Sequence, residues 1–345
     1  MASAMRAVAR RLGRGLVAAL FGALALPAAV ADDTIRFTVL EENDSIWSGT
    51  DKYYSQGLGF ALLTGDLAPE SGTNAPFDLL ADWGVFADTG ARSRRYEILL
   101  GQQIYTPEDT LADNPDPHDR PYAGWAFAGI GLIQDTDRRR MDHFELLAGV
   151  VGPTAFGETV QNDWHQFIGV AEAEGWDHQI HDEPGVMLTY ERKYRFLAPL
   201  GEGFGADVIP EAGVTVGNVM TYGQVGGMLR IGRNLEADYG PARMRPSLSG
   251  TTYFNGDDLV GDFGFHFFVG AQGRAVARNI FLDGNTFRDS RDVDSKPLVA
   301  DLTGGVSLFW TDAVKLDVMA IHRTREFDGQ DKAWDYAGIN LTLGF

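Results

Sequence analysis

The closing stretch Tyr336–Phe345, YAGINLTLGF, decides the fold. Ala337, Ile339, Leu341, Leu343 and Phe345 alternate with Gly338, Asn340, Thr342 and Gly344. A period of two sends successive side chains to opposite faces of a strand, and about ten residues of it mark a membrane β-strand, greasy outside and polar inside. The pattern recurs. Ile35, Phe37 and Val39 alternate with Arg36 and Thr38, and Val314, Leu316, Val318 and Ala320 alternate with Lys315 and Asp317. Leu298, Ala300, Leu302, Val306, Leu308 and Trp310 alternate with Asp301, Thr303 and Ser307. The terminal Phe345 is similar to the assembly signal of bacterial outer-membrane barrels.

Twelve strands are expected, over 34–42, 53–64, 94–105, 121–134, 140–152, 185–197, 205–218, 221–233, 262–281, 298–311, 313–326 and 336–345. The long segment 262–281 reads either as one strand or as two; an even total favours one. The fold class is therefore an all-β, antiparallel, up-and-down barrel, with a soluble β-sandwich as the alternative that period two also permits. Both ends then lie in the periplasm. The connections 43–52, 106–120, 153–184, 219–220, 282–297 and 327–335 face outward, and 65–93 and 234–261 are long inward-facing ones.

The first thirty-one residues read as a signal peptide. Arg6, Arg10, Arg11 and Arg14 precede an apolar run from Leu16 to Leu26, and Ala29-Val30-Ala31 is a small-x-small cleavage site. The expected division is 1–31 signal and 32–345 barrel. Loss of those four arginines would take the formal charge from −19 to −23. So acidic a chain excludes nucleic acid as a partner and suits divalent cations. The absence of cysteine excludes disulfides and thiolate chemistry. Glycine at 42, with 21 Phe, 11 Tyr and 7 Trp, fits many strands with aromatic belts.

One stretch departs from period two. In Phe156–Glu183, the residues Phe156, Val160, Trp164, Phe167, Ile168 and Ala171 recur at spacings of three and four, as in an amphipathic helix. Gln161 and His165, four apart, project together beside that stripe. A neutral imidazole takes a proton from water near neutral pH, which makes His165 a candidate general base. The barrel topology brings five further polar stretches to the same rim: Glu41–Asp44, Tyr53–Gly57, Gln102–Pro107, Asp119–Trp125 and Glu183–Gly185. Singly, each has an ordinary structural reading as a turn, a strand glycine or a rim ion pair. Together they permit a chemistry. Oxygens of Asp44, Asn43 and Ser55 are hard donors suited to calcium. A backbone N–H near Gly57 and the metal would polarise an ester carbonyl, while His165 activates water. Ser55 as a nucleophile is the alternative, but it lacks a Gly-x-Ser-x-Gly elbow.

These motifs resemble a known family. Glu42-Asn43-Asp44, Tyr54-Ser55-Gln56-Gly57, the Q-x-I-Y-T-P run ending at Pro107, Asp119–Trp125, the Gln161/His165 helix and Gly175–Gly185 are similar, in the same order, to the LpxR family of outer-membrane lipid A deacylases. The resemblance implies a multi-pass barrel in the bacterial outer membrane and a monomer. It implies calcium-dependent hydrolysis of the 3′-acyloxyacyl ester of lipid A within lipopolysaccharide, at a site between the outer wall and a helical loop. It implies His165 as base, Asp44 with Asn43 at the calcium, Ser55 where the family has Thr or Ser, and Gln161 in support. Arg120, Tyr122 and Tyr105 are the expected substrate contacts. Glu172 is the expected further metal ligand, with Glu174 beside it. The sequence departs from the family between Glu108 and Asp119, where basic residues give way to acids and leave Arg120 the nearby cation. A phospholipase acting on glycerophospholipids and a non-enzymatic porin or adhesin are the rival readings.

Overall fold

The computed structural model describes residues 34–49, 51–90, 92–246, 252–256 and 259–345; the expected signal segment 1–31 lies outside the described residues. Among the described residues, thirteen strands form one antiparallel sheet: β1 Arg36–Asn43, β2 Tyr53–Leu63, β3 Arg92–Thr106, β4 Ala123–Thr136, β5 Arg140–Val151, β6 Glu183–Tyr194, β7 Phe196–Gly201, β8 Phe204–Gly217, β9 Met220–Arg233, β10 Phe263–Asn279, β11 Leu298–Trp310, β12 Val314–Arg323 and β13 Trp334–Gly344. Twelve of them close a ring. β1 pairs with β13 from Arg36↔Gly344 to Asn43↔Ala337, and β6 pairs directly with β8. The short β7 pairs with β8 alone and projects below the ring. Segment 262–281 is a single strand, β10, with a register shift between Val276 and Arg278. Closure leaves no unpaired edge around the ring.

The alternation separates the two faces as the sequence predicts. Phe60 opposite Leu100, and the row Ile130, Leu146 and Leu188, point outward and are exposed. Their neighbours in the chain point inward and are polar. Thr38 meets Thr342 at 2.9 Å, and Asp301 receives Arg323 at 2.8 Å and Arg274 at 3.1 Å.

The two long inner connections have different destinations. The described parts of segment 234–261 turn back into the lumen, where Arg245 binds Glu145 at 2.9 Å and Arg243 approaches Glu42 at 3.3 Å. Tyr239 and Tyr253 both donate to Asp135, at 2.7 and 2.9 Å. Such pairs are held by partners from several strands, and removal of one member leaves an uncompensated buried charge. Segment 65–93 instead folds against the outside of the wall. Within it Ala75–Asp82 forms a short helix. Phe77, Leu80 and Phe86 pack on Tyr96, Leu132, Phe144 and Tyr190, one outward-facing row of β3 to β6.

Candidate functional site

The Gln161/His165 stretch forms a helix, α1, Gly157–Ile168. Its start lies tight on the wall, since an added Cβ on Gly124 of β4 would sit 3.3 Å from the Gly157 nitrogen and 3.1 Å from Ala155 Cβ. Gly169, at φ 76, ends it in the left-handed conformation. The helix faces are turned over relative to a helix of a soluble protein. Gly157, Gln161 and His165 are its buried residues, whereas Trp164 is 48% and Phe167 80% exposed. Its polar side covers the barrel wall and its apolar side faces the surroundings of the barrel.

Beneath the polar side is a cleft of about 300 Å³, lined among others by Asn43, Asp51, Ser55, Gln56, Gln161 and His165. His165 is held at both nitrogens. Nδ1 lies 2.7 Å from the Ala171 carbonyl oxygen, which only accepts, so Nδ1 carries a hydrogen. Nε2 faces the Asp51 carboxylate at 3.0 Å. A neutral ring with Nδ1–H has a lone pair at Nε2, so the His165–Asp51 contact holds one proton between its two members. Gln161 donates to both Asp51 oxygens, at 3.0 and 2.8 Å. Burial pushes the Asp51 carboxyl up; the His165 charge and hydrogen bonds from Ser55, Gln161 and His165 pull it partly back. Ser55 sits at a register shift of β2 and shares a 2.6 Å hydrogen bond with Thr106. Asn43 accepts from the Ser45 nitrogen at 2.8 Å and lines the cleft.

The family model described as outer membrane protein LpxR matches residues 16–345. The chain belongs to the LpxR family. It is accordingly an outer-membrane protein with a transmembrane β-barrel. The solved structure of LpxR from Salmonella typhimurium matches with a TM-score of 0.69 at 18% identity, covering 90% of this chain and 100% of that one. The β-domain of the Bordetella autotransporter BrkA has a TM-score of 0.41 at 11% identity, covering 90% of this chain and 98% of that one. No curated protein matches.

Within this LpxR-family barrel the residues singled out by sequence divide into three groups. His165, Gln161, Asn43 and Ser55 meet in the cleft. Asp44 is buried just behind, where its carboxylate accepts from the Lys52 nitrogen at 2.8 Å and ties down the loop that carries Asp51. The remaining five stand elsewhere. Gly57 faces the lumen opposite Glu42 and Gln103, under Tyr54 and Met244, and Gln56 takes the place at the cleft. Tyr105 also faces inward, its ring stacked 4.1 Å from that of Phe281. Arg120 is buried over the Tyr105 ring and bonded to Glu326 at 3.4 Å. Tyr122 packs on Trp176 and donates to the Thr110 carbonyl at 3.2 Å. Glu172 is exposed, next to Ala171.

Asp51 is the residue that sequence reasoning passed over. It lies in the same outer connection as Asp44, and composition does not rank one acid above the other. Trp176 lies within the Gly175–Gly185 motif, and its indole N–H donates to Gln161 at 2.8 Å. A second cluster, Glu97, His143 and Glu145, lies inside the lumen. Arg245 bonds to Glu145 and lies 3.5 Å from His143, so a guanidinium stands beside that cluster.

Proposed function

We propose that this protein hydrolyses an acyl ester of lipid A, removing the 3′-acyloxyacyl chain with calcium as cofactor. The observation that carries the reading is the His165–Asp51 pair at 3.0 Å, roofed by a helix whose apolar side faces lipid. A lipid ester enters such a cleft sideways, from the membrane, without its acyl chains crossing water.

His165 is the base. With Nδ1–H committed to Ala171, Nε2 is the basic atom, and a water lodged there loses its proton to the ring as its oxygen adds to the ester carbonyl. Asp51 occupies that position in the resting site, so water enters as the carboxylate turns aside. The sugar oxygen leaves with a proton returned from His165, giving a free fatty acid and a hydroxyl.

Hard oxygen donors border the reaction space. The Asn43 amide, the Ser55 hydroxyl and the Asp51 carboxylate line it, Asp44 adjoins Asn43, and no lysine or arginine is among the described lining residues. That donor set fits calcium. These residues would hold the ion, which when bound polarises the ester carbonyl.

The test is acyl release from purified lipopolysaccharide, followed by mass spectrometry beside a glycerophospholipid control. His165→Ala, Asp44→Ala and Asp51→Asn should each abolish release, and a calcium chelator should do so reversibly. Undiminished release by a folded His165→Ala variant would reject the mechanism. Faster turnover of the glycerophospholipid would reject the substrate.

A further inference from the structure

On the reading that this site cleaves the 3′ ester of lipid A, we infer that its substrate lacks the phosphate on the neighbouring 4′ position of the same sugar. The cleft is lined by the Asp51 carboxylate and by no described lysine or arginine. Two cations beside the acidic loop are already paired with acids. Lys52 is ion-paired with Glu108, and Arg120 is buried against Glu326.

The loop that forms one side of the cleft adds negative charge. Thr110 and Leu111 line the cavity, and Glu108, Asp109, Asp113, Asp116 and Asp119 surround them in sequence. This loop is anchored, since the Thr110 carbonyl accepts from the Glu174 nitrogen at 2.9 Å and from the Tyr122 hydroxyl at 3.2 Å. A phosphate monoester carries nearly two negative charges at neutral pH. Placed one ring position from the scissile ester, it would meet like charge from Asp51 and the loop acids, with no guanidinium or ammonium in the described lining. Specificity built this way works by repulsion of the charged species rather than by extra attraction for the neutral one. A hydroxyl at 4′ has no such conflict, and the amide and hydroxyl groups of the cleft can bond it.

The experiment compares two substrates at one fixed calcium concentration in mixed micelles: 1,4′-bisphosphorylated lipid A and the same lipid after enzymatic removal of the 4′-phosphate. The expected result is about a tenfold higher kcat/KM for the dephosphorylated lipid, in proportion to the like-charge penalty. The double variant Asp109→Lys/Asp113→Lys, altered at two exposed positions, should narrow that ratio by raising turnover of the phosphorylated lipid; heat-shifted migration on gels verifies that it is folded. Equal rates, a preference for the phosphorylated lipid, or a ratio indifferent to the double variant would overturn the inference while leaving ester hydrolysis in place. Release from neither lipid would instead overturn the hydrolase reading itself.

Discussion

Trp176 donates its indole N–H to the side-chain oxygen of Gln161 at 2.8 Å. Because an indole only donates, the amide oxygen is fixed on that side and the NH₂ group must point at Asp51. Trp176, Gln161, Asp51 and His165 therefore form a line of hydrogen bonds in which each member sets the next. Replacing Trp176 by Phe keeps an aromatic ring against Tyr122 and removes the donor, together with the outer edge of the indole that packs on Gly157. The kcat of acyl release should fall about tenfold, from looser placement of the base, with KM nearly unchanged. Steady-state kinetics on lipopolysaccharide decide the matter, and a wild-type kcat would dismiss the line as decoration.

The site is assembled at some cost to stability. Asp51 is held above its ordinary carboxylate range, chiefly by burial. Between its unfolded and folded values the native protein binds more protons than the unfolded one, so its stability declines as pH rises through that interval. The Asp51→Asn variant is free of this decline. Its melting temperature should match the wild type in acid, below the ordinary carboxylate range, and exceed it at neutral pH. Acyl release by the same variant should drop by about a hundredfold or more. Melting curves across pH test the first half; a wild type that gains on the variant with rising pH would contradict it.

The lumen network should be the opposite case, supporting the fold without touching chemistry. Asp301 is buried among Arg274, Arg323 and Arg243, at 3.1, 2.8 and 3.5 Å. Asp301→Asn would leave three guanidinium groups short of their counter-charge, a loss of about 3–5 kcal/mol. Urea unfolding in detergent should show the reduced midpoint, while the folded fraction retains its specific activity.

Phe167 separates membrane contact from catalysis. It is the most exposed large apolar residue of the helix and is not part of the cleft. Phe167→Asp places a charge where the helix meets lipid, an unfavourable change at an interface. Turnover of substrate in intact outer-membrane vesicles should fall several-fold, and turnover in detergent micelles should stay near wild type. Equal losses in both media would show that Phe167 acts through the cleft instead.

The barrel was legible because its signal is local. Period two in Arg36–Asn43 or Val314–Arg323 states the two faces of a strand without reference to any other strand. The helix was legible for the same reason, but the direction of its faces was not. Trp164 and Phe167 form the same stripe whether the apolar medium is a protein core or lipid, and only the wall beneath Gln161 and His165 decides. Parity explains the misplaced residues. Ile104 faces the cleft and Tyr105 the lumen, one residue apart, and the shift at Ser55 sets the parity on which Gly57 points inward. Asp51 required the fold itself, since its partner is more than a hundred residues away.

That separation has a consequence for the life of the chain before it reaches its membrane. Asp51 precedes β2 and His165 follows β5, so the pair comes into being only when four strands stand in register between them. A polypeptide still in transit has neither cleft nor base. Under the proposed function, hydrolytic competence would arrive together with insertion, and lipids that the immature chain passes on its way would be out of danger.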